Sequence, residues 1–218
     1  MFNENISHYV EWNEIKLSNF LSNKFIGRIP ALCELLFLSR FIRKLNPEVI
    51  IDVGTWLGIT GHILGTSSHK VKHLYSIDNT HNDTFVPYFR GDINRYVKKS
   101  EYGMYLPEFA EYIGCGYENI LGELISDYDG NVFVFLDAKK RADLVLDEIK
   151  ICYNNKAQYI GIHDTSKHYK RPRRAMMKSI KDGWYSLICE DITCDKNGVS
   201  ILKLNDGKEN KEEQTKTY

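Results

Sequence analysis

The stretch VIIDVGTWLGIT, residues 49–60, decides how the chain is read. VIIDV is apolar apart from Asp52, the pattern of a strand covered on both faces. Gly54 and Gly58 follow at once, and Thr60 adds a hydroxyl where a helix should begin. A glycine-rich turn between strand and helix lets backbone come close to a ligand. The N–H groups of the helix start then favour an anionic part of that ligand. The spacing is G-x-x-x-G. It is not the G-x-G-x-x-G of dinucleotide sites, and it lacks the Gly-Lys-Ser/Thr ending of a P-loop.

Outward from this stretch, short apolar runs alternate with helical spacing. HLYSID (73–78), NVFVFLD (131–137), QYIGIHD (158–164) and VSILKL (199–204) read as strands, and the first three of these end on an acid. ALCELLFLSRFIRKLNPEV (31–49) reads as a helix closed by Asn46-Pro47. RADLVLDEIKICYNN (141–155) places Leu144, Val145, Ile149 and Cys152 on one face with charges opposite. RRAMMKSIKDG (173–183) does the same with Met176, Met177 and Ile180, and Gly183 is the expected stop. Alternation of this kind predicts an α/β, doubly wound, mostly parallel sheet with helices on both faces. WYSLICED, then CDKNG, then VSILKL predicts an antiparallel C-terminal strand pair.

The 218 residues suit one domain with a small appendage. Residues 1–30 are expected to form a helical cap, 31–205 the main domain, and 206–218 a disordered polar tail. The segment 79–108 is long, polar and aromatic, and a loop of that size is usually functional. It carries Tyr88, Phe89, Tyr96, Tyr102 and Tyr105, which are expected to cover a substrate. Lys plus Arg and Asp plus Glu both number 29, so no global charge draws the chain to nucleic acid or membrane. No apolar run reaches the roughly 20 residues of a membrane span, and the N-terminus does not read as a signal peptide. The five cysteines, an odd count without C-x-x-C, argue against zinc or a disulfide framework. Buried thiols in a reducing, cytoplasmic setting are expected.

The second strand ends SIDN, with Asp78 some twenty residues past the glycines. A carboxylate there can accept from both hydroxyls of a ribose. Glycine turn and acid together suit S-adenosylmethionine. DVGTWLGIT resembles the first motif of the class I methyltransferases, in the form used by catechol-type O-methyltransferases. The resemblance implies a Rossmann-like seven-stranded sheet. It also implies a cofactor site of Asp52, Gly54, Thr55, Trp56, Gly58, Thr60, Asp78, Asn79 and Asp137, with Trp56 beside the methionine moiety. YIGCGYENI (112–120) falls at the family's adenine-contacting turn, which assigns Cys115 and Gly116 to the adenine edge.

LDAKK and IGIHDT form a second constellation. Asp137, His163 and Asp164 end strands at the edge where such sheets bind ligands. Two carboxylates and an imidazole suit Mg²⁺ or Mn²⁺, with Fe²⁺ or Zn²⁺ as alternatives. D-A-x-K resembles the cation-dependent O-methyltransferases, and this implies Asp137 and Asp164 as metal ligands and Lys140 as general base. Thr165 stands where that family has Asn. In the macrolide-sugar O-methyltransferase and cephalosporin-hydroxylase-like group, His163 takes the place of a Glu. Without a metal, His163 ordered by Asp164 becomes the base. The expected activity is O-methylation of a sugar, glycan or other small hydroxylated acceptor. The alternative is an inactive nucleoside-binding module.

Several residues have plainer readings. Lys139 reads as solvated, and His62, His69, His73 and His81 as surface or loop residues. KHYKRPRR (167–174) is a basic cluster on the same edge, suited to an anionic acceptor. Nucleic acid is the weaker partner, because the chain has no Asn/Asp-Pro-Pro-Tyr motif of the kind used on base amino groups. A homo-oligomer is compatible with all of this.

Overall fold

The computed structural model describes residues 32–78, 84–86, 95–97, 103, 105–191 and 197–205. The expected cap, the tail, Asn79, His81 and most of 79–108 lie outside the described residues. The elements are α1 (Leu32–Leu45), β1 (Val49–Val53), α2 (Ile59–Thr66), β2 (His73–Ile77), β3 (Thr84–Val86), β4 (Arg95–Val97) and β5 (Ala110–Ile113). They continue with α3 (Leu121–Ser126), β6 (Phe133–Leu136), α4 (Ala142–Asn154), β7 (Tyr159–His163), α5 (Lys170–Lys181), β8 (Tyr185–Asp191) and β9 (Val199–Leu204). A 3-10 turn, Tyr117–Asn119, precedes α3.

Seven strands form one sheet in the order β5-β2-β1-β6-β7-β9-β8, and β3 pairs with β4 separately. Pairing is parallel from β5 through β7, while β9 runs antiparallel between β7 and β8. The chain winds outward from β1 through β2 to β5, then resumes at β6 on the other side of β1. The β1/β6 boundary is therefore the topological switch point, where a crevice opens beyond the strand ends.

The two-residue period of a strand assigns each side chain to a face. Val49, Ile51, Val53, Val134, Leu136, Ile160 and Ile162 join a core with Leu121, Ile125, Val145, Ile149 and Met176 of α3, α4 and α5. Ile50, Phe133, Phe135 and Ile201 join the opposite core with Leu38 and Ile42 of α1 and Leu64 of α2. By the same period Asp52 and His163 turn to the α1/α2 face. Gly161 lies on that face too, since a Cβ there would meet Phe133, Phe135 and Ile201.

Helix ends follow local chemistry. Asn46, at φ 59, closes α1 with its N–H on the Ile42 carbonyl at 2.7 Å. Gly183, at φ 74, terminates α5 as expected. Four expectations need correction. Leu144 is only half-buried, and Glu148 takes a buried place on that stripe instead. Met177 is 48 % exposed, because the buried stripe of α5 runs through Pro172, Ala175, Met176 and Ser179. His62 is buried in α2, with Nδ1 2.9 Å from the Tyr105 carbonyl. Cys33 is disulfide-bonded, whereas Cys115, Cys152 and Cys189 are free thiols. Cys194 lies outside the described residues.

Candidate active site

The loops after β1 and β6 lie directly against each other. Asp137 N–H donates to the Val53 carbonyl at 2.8 Å. Gly54 has φ 100, and a Cβ on it would sit 2.6 Å from Ala138 N and 2.7 Å from the Asp137 carbonyl carbon. The close approach that requires Gly54 is thus to the chain's own Asp137–Ala138 peptide. Gly58, at φ 86, precedes α2 and packs on Leu106 and Gly103. Gly103 N–H donates to the Trp56 carbonyl at 2.7 Å, and Tyr105 N–H to that of Leu57 at 3.0 Å.

Asp78 shapes the same turn. Its Oδ2 accepts the Trp56 N–H at 2.6 Å, and this contact holds Trp56 in the left-handed region at φ 46. The Asp78 N–H donates to the Ile113 carbonyl at 3.1 Å, and Cys115 N–H to that carbonyl at 3.0 Å. The β1, β2 and β5 ends therefore share one rim, which brings Gly54, Thr55, Trp56, Asp78, Cys115 and Gly116 together. Thr60 is buried in the first turn of α2.

A charged cluster lies across the switch point. Lys140 Nζ contacts Asp137 Oδ1 and lies 2.6 Å from Asp164 Oδ2. His163 Nδ1 is 2.8 Å from Asp137 Oδ1 and 3.6 Å from Asp164 Oδ1. Asp164 is held at φ 58, an unfavourable conformation for a residue with a Cβ. Thr165 turns away, with Oγ1 2.7 Å from Ser200 Oγ. Sequence reasoning missed a further member, Glu34 on α1, which is fully buried. Its Oε2 is 3.3 Å from His163 Nε2, and its Oε1 accepts the Gly198 N–H at 2.6 Å. The signal was present: Glu34, Leu38 and Ile42 share one stripe at i, i+4 and i+8.

Electrostatics follow from these contacts. Burial opposes the charge on Asp137, but His163 and Lys140 overcome it and hold its carboxyl well below the usual range. Burial likewise opposes the charge on His163, but Asp137 and Glu34 raise its pKa to about 10. Lys140 is shifted upward by Asp137 and Asp164 against its own desolvation, and stands as an ammonium. Asp52 behaves oppositely. Burial, then the charges of Asp137 and Asp78, push it up to about 8. Ser76 Oγ reaches its Oδ2 at 3.5 Å, while Oδ1 has no partner among the described residues.

Lys139 is not the solvated residue the sequence suggested. Its ammonium lies 3.9 Å from Glu118 and 5.3 Å above the Tyr117 ring. Glu148 on α4, raised to about 8 by burial, has Lys139 as its largest opposing influence.

Asp137, His163 and Asp164 offer ligand atoms that all lie within 4.8 Å of one another. Adjacent ligands of an octahedral ion with bonds near 2.1 Å stand about 3 Å apart. The separations of 2.8 and 3.6 Å at His163 Nδ1 are of that order, so the donor set fits a divalent cation.

The sequence matches no known family profile and no curated protein. Solved structures do match the fold. An O-methyltransferase from Bacillus cereus in complex with SAH superposes with TM-score 0.61 at 11 % identity, over 92 % of this chain and 97 % of that one. A SAH-bound Podospora anserina methyltransferase gives TM-score 0.60 at 11 % identity, over 94 % and 89 %. The O-methyltransferase TomG from Streptomyces achromogenes, in complex with SAM, gives 0.58 at 10 %, over 94 % and 91 %. The chain has the class I methyltransferase fold, as the first motif implied: a seven-stranded, mostly parallel sheet with an antiparallel C-terminal strand pair.

Proposed function

We propose that the chain is a S-adenosylmethionine-dependent O-methyltransferase. Its acceptor is a sugar, glycan or other small hydroxylated molecule, and a divalent cation assists the transfer. One observation carries this reading: the Gly54 turn, locked by Asp78, rests on the same peptide that presents Asp137 to Lys140, His163 and Asp164. A nucleoside site and an acid–base cluster therefore meet at one crevice. The fold shared with SAM- and SAH-bound O-methyltransferases supports it.

The chemistry is displacement at a sulfonium methyl: the acceptor oxygen bonds to carbon, and the carbon–sulfur pair returns to sulfur. Much of such catalysis is orientation, which a rigid strand-end rim supplies. Asp137, His163 and Asp164 would hold the cation, which lowers the pKa of the acceptor hydroxyl and fixes its position. Lys140 now spans the two carboxylates as an ammonium. Beside a bound cation its ammonium would be acidified, and once it had given its proton to solvent the neutral amine could take the hydroxyl proton. Tyr169 is 40 % exposed and near enough to Asp164 to be raised in pKa by burial and then by that charge. Lys167, Lys170, Arg171 and Arg174 are exposed around it, which suits an acceptor bearing an anionic group. Arg173 is instead held by Glu190 at 3.1 Å and the Thr165 carbonyl at 2.8 Å.

The test is calorimetry with SAM and SAH, with and without Mg²⁺ or Mn²⁺, followed by methyl transfer to sugar-nucleotide and catechol panels. Cofactor heat and methylated product are expected; absence of any cofactor heat refutes the reading. A second reading, a binding module without turnover, draws on Lys140 bridging both carboxylates. Cofactor binding without product across the panels would favour it.

A further inference from the structure

We infer that Glu34 is the positioning residue that aims the imidazole of His163 at the cation, giving the centre a nitrogen donor and a preference for a first-row transition cation over Mg²⁺. This rests on the cation site proposed above. The two nitrogens of His163 face different partners. Nδ1 points into the carboxylate pair, 2.8 Å from Asp137 and 3.6 Å from Asp164. Nε2 points the other way, 3.3 Å from Glu34 Oε2. A histidine that ligates through one nitrogen must place its hydrogen on the other, and a carboxylate accepting that N–H fixes both tautomer and ring plane. Glu34 is built for this role. It has no exposed surface, and its second oxygen is pinned by the Gly198 N–H at 2.6 Å. The pin matters, since Glu34 comes from α1 and Gly198 lies just before β9. Three separate parts of the chain thus converge on one ring. His163 reaches the helix because the strand period turns it to the α1 face, opposite Ile160 and Ile162.

An imidazole beside two carboxylates favours Fe²⁺ or Zn²⁺, with Mn²⁺ serving as the paramagnetic probe, whereas Mg²⁺ prefers oxygen alone.

E34Q tests this with little change in shape. The glutamine oxygen keeps the Gly198 bond, and its amide then presents N–H to Nε2, which drives the hydrogen to Nδ1. Calorimetric titration with Mn²⁺ should show affinity falling about ten- to hundred-fold in E34Q. Pulsed EPR of the Mn²⁺-loaded parent should show ¹⁴N modulation from His163, lost in E34Q, while SAH binding is retained. The parent should also bind Mn²⁺ more tightly than Mg²⁺. Unchanged Mn²⁺ affinity in E34Q, or no ¹⁴N modulation in the parent, overturns the inference. If E34Q does not fold, E34D carries the test, because its shorter carboxylate cannot reach both partners. Unchanged Mn²⁺ affinity there overturns the inference as well. Parent protein that binds SAH but no Mn²⁺ overturns the cation site and this inference together, and leaves the cofactor reading standing.

Discussion

Asp52 and Asp137 end neighbouring parallel strands, yet their carboxyl groups are driven in opposite directions. β1 and β6 pair with Val53 beside Leu136, so the two acids lie within a few residues of each other at one sheet edge. Asp52 is buried with a hydroxyl for company and is pushed up to about 8. Asp137 is held below the usual carboxylate range by an imidazolium and an ammonium. Burial acts against the charge in both. The difference is the supply of cations: β1 leads into an uncharged turn and the apolar α2, whereas β6 leads to Lys140 and abuts His163. A carboxylate at a strand end is thus a reactive or ligand group only where the neighbouring loop brings compensating charge.

The largest break in this comparison is D137N. It leaves His163 and Lys140 with one fewer anion, and His163 is almost wholly buried. Loss of about 3 kcal/mol is expected, read by denaturant unfolding, together with loss of Mn²⁺ binding. Next is G54A. Its Cβ would stand 2.6–2.8 Å from the Asp137–Ala138 backbone at a φ that side chains avoid. A cost of about 2 kcal/mol and weakened SAH binding are expected by calorimetry. D52N is smaller and depends on pH. The folded-state pKa of Asp52 lies above its unfolded value of 3.8, so the native state retains a proton the unfolded chain has lost. The resulting stability is full below pH 3.8 and declines as pH rises to about 8. D52N should flatten that decline, gaining roughly 1–2 kcal/mol over the parent at pH 8.5. Parallel unfolding curves at pH 5 and 8.5 check it. The smallest effect is K140M, which makes Asp137 more like Asp52. Because Lys140 is half-exposed, the removed pairing should raise Mn²⁺ affinity only about five-fold.

Much of this was legible from the sequence. VIIDV and VSILKL occupy the bounds their apolar runs predicted, and Asn46 and Gly183 end their helices where turn chemistry placed them. Asp137, Lys140, His163 and Asp164 were each identifiable as strand-end residues, and the structure brings all four together. Glu34 and Glu148 escaped for a shared reason. Each is an acid on an otherwise apolar helical stripe, and periodicity averages such a residue away. Met177 erred the other way: an apolar side chain beside Met176, turned outward by the 100° step of the helix.

By itself the sequence determined the strands, the turns and the acids at the sheet edge, because these depend on local periodicity and on backbone angles open to glycine. The tertiary structure alone decided which acids carry charge. Cation pairing depends on distances of a few ångströms between residues far apart in the chain, and Glu34 meets His163 across 129 positions.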